Sequence, residues 1–388
     1  MMTYKETFMR EFSSIFKYKG MMILLFIGPI FLTLFFGGVY YNDYVKDIPI
    51  AILDEDGSTL SNLVGSYFLS NERFEVTNYP ATRKELENLI DDGKVQMGIC
   101  IPKGFESKVS TYQSSQILAI TDGTNIVMAN NAIAQATLIT QSISAGIEMK
   151  LIQGKGVSPK TAQDMALVYN VGERMLFDPK MTYMNYLMIC FLAVFVQQLM
   201  LSAMGSTFIR DNEYINSENV LSKVLAAVSA CFVGILPAVA ICMVILCKLF
   251  HVPMIGSIWT VLLLTVAFLI ALTGPSLLIA SMTKDRVKYS QIEFMLSLPT
   301  FCSCGGVWPV DQMPRLLEIL IRACWPVINY AKVVQEVLIK GMDFSATIPN
   351  ILQMVLFAFV WLPIGIVFYK KAFAHDMVPD ILCENNSL

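Results

Sequence analysis

MMILLFIGPIFLTLFFGGVYY, residues 21–41, carries no charged side chain, and a polar stretch covering 42–182 follows it directly. A helix needs about 20 apolar residues to cross the hydrocarbon of a bilayer. This run exceeds the apolar core of a secretory leader and lacks a small-residue cleavage site, so it reads as an uncleaved signal-anchor helix. Comparable runs lie at 183–205, 224–247, 258–281, 290–308 and 351–369. The sequence therefore predicts a polytopic α-helical membrane protein of six transmembrane helices, with an α/β domain inserted between the first two.

The composition agrees. Of 388 residues 55% are hydrophobic and 15% charged, with 24 Phe and a mean hydropathy of +0.56, well away from the balance of a soluble domain. A net charge of −3, with no long basic block, argues against a nucleic-acid partner.

Orientation follows from Lys and Arg in the short connections. With the N-terminus inside, the inner pieces hold eleven: Lys5, Arg10, Lys17, Lys19, Arg210, Lys223, Lys284, Arg286, Lys288, Lys370 and Lys371. The short outer pieces hold five: Lys248, Arg315, Arg322, Lys332 and Lys340. Both termini, including the 370–388 tail, are predicted cytoplasmic. Within residues 1–20, Tyr4, Phe8, Phe12 and Phe16 recur every four positions while Lys5, Glu6, Arg10 and Glu11 take other faces, the pattern of an amphipathic helix lying along the inner interface.

Residues 42–182 then fall outside the cytoplasm. Their 12 Lys and Arg against 17 Asp and Glu give −5, and they alternate as a folded α/β domain does. IPIAILD reads as a strand, STLSNLVGSYFL as a helix and RFEVTNY as a second strand. TRKELENLIDDG opens on Thr82 three residues before Glu85, a capping box, and ends at Gly93. QMGICIP, a short helix from Lys103 and QILAITDG complete the alternation, and 124–153 reads as a helix over the sheet or descending to the membrane. DEDGS, 54–58, fails the calcium-loop spacing and reads as an acidic strand-to-helix turn.

WPVDQMPRLLEILIRACWPVINYAKVVQEVLIKG, 308–341, is too polar and too broken by Pro309, Pro314 and Pro326 to be a span. Two short amphipathic helices separated by Pro326 satisfy their own backbone, which an extended loop at membrane depth could not. A re-entrant hairpin over 309–345 is predicted.

Chemistry of its own is not apparent. There is no G-x-x-x-x-G-K-[ST], G-x-S-x-G or H-E-x-x-H, and the two histidines, His251 and His375, are far apart. The nine cysteines form no disulfide framework, and Cys302 with Cys304 has no companion pair for a metal. Spans two, three, four and six hold no ionisable residue, which disfavours an ion-coupled carrier. Glu293 lies near the cytoplasmic entrance of span five. In span two Gln197 and Gln198 each need a partner for the amide, as interhelical glue or as contacts along a translocation path.

The stretch GGVWPVDQMPRLLEILIRACWPVINYAKVVQEVLIKG resembles the C-terminal signature of the ABC-2 family of ABC exporter permeases at Gly305, Gly306, Pro309, Met313, Pro314, Pro326 and Tyr330. IPIAILDEDGSTLS, ICIPKGFESKV, ITDGTN and RMLFDPKMTYMNYLM look like elements of the branch that exports drugs, lipids or peptides. The resemblance implies a dimer of permeases, homo- or hetero-oligomeric, in a bacterial cell membrane, with ATP and Mg on a separate ABC ATPase and no cofactor on this chain. It leaves open a periplasmic adaptor. It further implies an ATPase-coupling loop at RDNEYINSENVLS with Arg210, Glu213 and Glu218, an outer gate at the hairpin, and loss or relocation of an Arg where this chain has Gln335 and Glu336. The alternative reading is a membrane sensor or scaffold without transport.

Overall fold

The strand IPIAILD shows why the polar insertion folds as it does. Ile48, Ile50 and Ile52 point to one face and Ala51 and Leu53 to the other, all of them buried, because successive side chains of a strand alternate. The computed structural model describes residues 4–17, 19–42, 44–166, 174–179, 182–209 and 220–374. It divides into two compact units, Tyr44–Arg174 and the remainder, residues 1–43 with 175–388.

In the Tyr44–Arg174 unit, β1 (Ile48–Asp54) is paired in parallel with β2 (Phe74–Asn78) and β3 (Met97–Ile101), and β4 (Leu118–Thr121) lies antiparallel on β3, giving the order β2-β1-β3-β4. Upstream in the other unit are α1 (Tyr4–Lys17), α2 (Lys19–Met22) and α3 (Gly28–Val39). The parallel pairs are bridged by α4 (Thr59–Leu69) and α5 (Arg83–Asp91), and α6 (Phe105–Ser110) precedes β4. Helix α7 (Ile126–Gln153) sets Ala132, Ala136, Ile139 and Ile143 into the core with Ile48, Ile50, Ile52 and Ile99, so its first half covers the sheet. Leu86 of α5 closes the opposite face over Ala51, Leu53 and Cys100. Gly98 is required there: a Cβ would stand 2.6 Å from Leu86 Cδ1. Helix α8 (Pro159–Ala166) ends the described part of this unit's chain before Arg174.

The turns have local causes. Ser58 and Ser61 cap α4 reciprocally, and the Ser61 hydroxyl donates to Asp54 Oδ2 at 2.6 Å. Thr82 accepts from the Glu85 amide at 3.2 Å, whereas Glu85 Oε2 accepts from Ala81 N at 2.9 Å, one residue before the position a capping box uses. Asp56 of the acidic turn accepts from the amides of Gly104, Phe105 and Glu106 at 2.7, 3.1 and 3.0 Å. The Ser58 hydroxyl and these amides hold its carboxyl below the usual carboxylate range. Beyond Arg174, Asp178 Oδ2 accepts from the Thr182 amide at 2.9 Å and hydroxyl at 3.1 Å, and Thr182 caps the next helix.

The other unit is helical. It continues with α9 (Tyr183–Phe208), α10 (Val220–Lys248), α11 (Ile258–Thr283), α12 (Arg286–Cys302), α13 (Arg315–Cys324), α14 (Ala331–Lys340) and α15 (Phe344–Ala374). Among the described residues four helices are long and apolar enough to cross a membrane: Tyr183–Phe208, Val224–Lys248, Ile258–Thr283 and Phe344–Ala372, with Leu25–Val39 a shorter apolar helix. The six expected spans are thus reduced to four by this measure. The first is interrupted by a π-helical turn at Ile23–Ile27 that ends just before Pro29, a residue with no N–H for the helix ladder. The fifth, expected to reach 308, stops at Cys302, where Ser303 caps the helix and Gly305 takes φ +83°. The sixth starts at Phe344, inside the range expected for the hairpin, and passes through Pro349 and Pro363.

Close packing in this unit uses small residues, as helix pairs in membranes do. A Cβ on Gly274 of α11 would lie 2.5 Å from the Trp361 backbone of α15, and one on Gly365 2.5 Å from the Gly274 carbonyl oxygen. Gly205 of α9 gives the same room to the ring of Tyr289, whose hydroxyl donates to the Leu201 carbonyl at 3.0 Å. Helix α1 packs along α10, with the Tyr4 hydroxyl on Ser229 Oγ at 3.0 Å. It buries Thr7 and Glu11 and leaves Phe8 and Phe12, stacked at 6.0 Å, half-buried.

Candidate functional site

Arg210, Glu213 and Glu218 of the expected coupling loop lie outside the described residues. The remaining candidates fall in two neighbouring places in the helical unit.

The first is the segment after α12. Gly306 is there for space: a Cβ would come 2.2 Å from Cys190 Sγ of α9. Gly305 supplies a left-handed turn against Val310. Pro309 opens a short 3₁₀ turn, Val310–Gln312, and half-buried Met313 leads to Pro314, which caps α13. Every residue of α13 is at least partly exposed, including Leu316, Leu317, Ile319 and Leu320. At Trp325 the helix stops, since the residue before a proline is driven to extended backbone. A second 3₁₀ turn, Val327–Asn329, carries the chain from buried Pro326 into α14.

Buried Tyr330 locks that turn. Its ring stacks on Phe268 of α11 with centroids 4.2 Å apart, and its hydroxyl shares a 2.9 Å hydrogen bond with Thr265. Arg322 Nη1 donates to Asn329 Oδ1 at 3.0 Å across the break, and its Nε donates to Glu318 at 2.9 Å. Gln335 donates to the carbonyls of Asn185 and Tyr186 at 3.3 and 3.1 Å, tying α14 to the first turn of α9, while Glu336 pairs with Lys340 at 2.9 Å.

Gln197 connects this segment to the bundle. Fully buried, it accepts from the Trp325 indole N–H at 2.6 Å and donates to Thr300 Oγ1 of α12 at 3.0 Å. Both ends of its amide are engaged by protein.

Gln198 points elsewhere. With Ser202 of α9 and Glu293 of α12 it lines a cavity of about 470 Å³ between α3, α9 and α12, whose other walls include Phe36, Phe191, Phe195, Phe294 and Phe301. Phe191 joins these rings, stacking on Phe36 at 4.5 Å and on Phe301 at 4.4 Å. The Gln198 amide nitrogen donates to the Glu293 backbone carbonyl at 3.2 Å, and the Ser202 hydroxyl donates to Glu293 Oε1. Gln198 Oε1 and Glu293 Oε2 are buried with no hydrogen-bond partner. The sequence places Glu293 near the cytoplasmic entrance of span five, but nothing in it joins that carboxyl to Ser202, 91 positions away.

Four helices among the described residues that are long and apolar enough to cross a membrane define a multi-pass membrane protein. The chain belongs to the ABC-2 family of transporter proteins, whose family description matches residues 19–367. Among its relatives, "Probable multidrug ABC transporter permease YbhR" of Escherichia coli (strain K12) is 23% identical over 311 residues, covering 78% of this chain and 80% of that one. "Inner membrane transport permease YhhJ" of the same strain is 22% identical over 339 residues, covering 83% and 85%. Both relatives are named as permeases, the first of an ABC transporter and the second of inner membrane transport. No solved structure matches the chain.

Proposed function

We propose that the chain is the permease subunit of an ATP-driven exporter that moves an amphipathic substrate, a drug, lipid or peptide, out of the cytoplasm or inner leaflet. The observation that carries this reading is the family match over residues 19–367 in a chain without a P-loop, so that ATP and Mg belong to a separate ABC ATPase. Six spans remain the reading: the four long helices, the α2 to α3 segment and α12. At about 1.5 Å per residue the 17 residues of α12 rise about 25 Å, close to the ~30 Å of bilayer hydrocarbon.

The Lys and Arg distribution supports both termini lying inside and the polar insertion 42–182 outside. Glu213 and Glu218 on the inner connection then meet the ATPase. Trp325, Gln197 and Thr300 join the re-entrant hairpin to α9 and α12, so rocking of those helices during the ATP cycle would be felt at the outer gate. A second permease chain completes the path.

The test is affinity purification of the detergent-solubilised chain from its native membrane, with bound proteins identified by mass spectrometry. An ABC ATPase should accompany the wild type and be lost from the Glu213→Arg, Glu218→Arg double variant. Absence of any ATPase in several mild detergents would overturn the exporter reading in favour of a sensor or scaffold.

A further inference from the structure

We infer that the cavity between α3, α9 and α12 is a binding site for a lipophilic organic cation bearing N–H donors, held by Glu293 Oε2 and Gln198 Oε1 among phenylalanine rings. This deepens the export reading and rests on it for the cargo's fate, though not for its binding.

The argument is one of unspent hydrogen-bonding capacity. Buried polar atoms in folded proteins are nearly always paired, and an unpaired one is costly. Here two orphans line one cavity, an amide oxygen that accepts and a carboxyl oxygen that accepts when ionised. The neighbouring donors already face protein: the Ser202 hydroxyl goes to Glu293 Oε1 and the Gln198 amide to the Glu293 carbonyl. A ligand that donates N–H groups would satisfy both oxygens, Glu293 in its ionised form.

Charge narrows the choice further. Glu293 is only 6% exposed, and no Lys or Arg pairs with it among the described residues. An ionised carboxylate so buried is costly without a partner, and a cation would supply one. The phenylalanine side chains that line the cavity suit the apolar body of such a ligand. An anionic or acceptor-only ligand would meet two bare oxygens. A phospholipid acyl chain would fill the volume and satisfy neither.

The purified full-length chain in detergent, without ATPase or ATP, would be titrated with rhodamine 6G, a lipophilic cation carrying N–H groups, and with the neutral dye Nile red. Saturable binding of rhodamine 6G is expected, weakened about tenfold or more by Glu293→Gln because a buried charge partner is removed, with Nile red unaffected by that change. Should Glu293→Gln fail to fold, labelling of wild-type Glu293 by dicyclohexylcarbodiimide, read by mass spectrometry, gives the same answer: rhodamine 6G must protect Glu293 and Nile red must not. Equal affinity for both dyes, binding indifferent to Glu293→Gln, or absence of protection would overturn the site and leave the cavity to an acyl chain or a second copy. Cation binding without ATP-dependent transport would overturn only the export reading, and transport with binding indifferent to Glu293 only the site.

Discussion

Replacing Gln197 with leucine keeps the volume of a buried side chain but takes away the acceptor for the Trp325 indole N–H, 2.6 Å away, and the donor to Thr300, 3.0 Å away. The two losses are unequal. Thr300 still donates to the carbonyls of Leu296 and Ser297 at 2.7 and 2.9 Å, so it gives up only an incoming bond. Trp325 is half-buried and has one donor, which is left stranded. A stranded buried donor costs about 1–3 kcal/mol, while hydrogen bonds between helices in membranes average about 0.6 kcal/mol. The expected destabilisation is about 2 kcal/mol, most of it from Trp325. Trp325→Phe removes the orphan, so in the Gln197→Leu background it should cost less than in wild type, by a coupling of about 1–2 kcal/mol. Reversible unfolding of the four proteins in mixed micelles measures this cycle. Strict additivity of the two substitutions would refute the link between the hairpin and α9.

Gly306→Ala places a methyl group 2.2 Å from Cys190 Sγ and should lower the thermal unfolding temperature by an overpacking cost of about 1–3 kcal/mol; Cys190→Ala, whose Cβ is 3.8 Å away, should restore most of it. In the Tyr44–Arg174 unit the carboxyl of Asp56 is held below its ordinary value by Ser58 and the α6 amides. A depressed carboxylate contributes stability above its unfolded pKa of about 3.9 and loses it as pH falls through the lower folded value. Asp56→Asn should therefore be less stable than wild type at neutral pH, and the difference should close as pH falls below about 4, followed by thermal unfolding.

Much of the architecture is legible from residue order because its causes are local. The alternation in IPIAILD, the cap at Thr82 and the turn at Gly93 each act within a few residues, and each element stands where its pattern predicts. Pro326 likewise marks a break between two short helices. What is not legible depends on partners far along the chain. The end of α12 follows from Gly305 and from what Gly306 packs on, not from hydropathy, which runs on to 308. Gln197 and Gln198 are adjacent and chemically identical, yet one is satisfied by Trp325 at a distance of 128 residues and the other borders a cavity. Helical geometry turns neighbours about 100° apart, but only the folded bundle decides what each then meets.

The most direct test of ATP-driven export is accumulation of rhodamine 6G in inverted membrane vesicles that contain the chain with its copurifying ATPase. Export predicts uptake that needs ATP, survives collapse of the ion gradients and is lost in the Glu213→Arg, Glu218→Arg variant. Vesicles that hydrolyse ATP at the wild-type complex but take up neither rhodamine 6G nor any other amphiphile above that variant would contradict it.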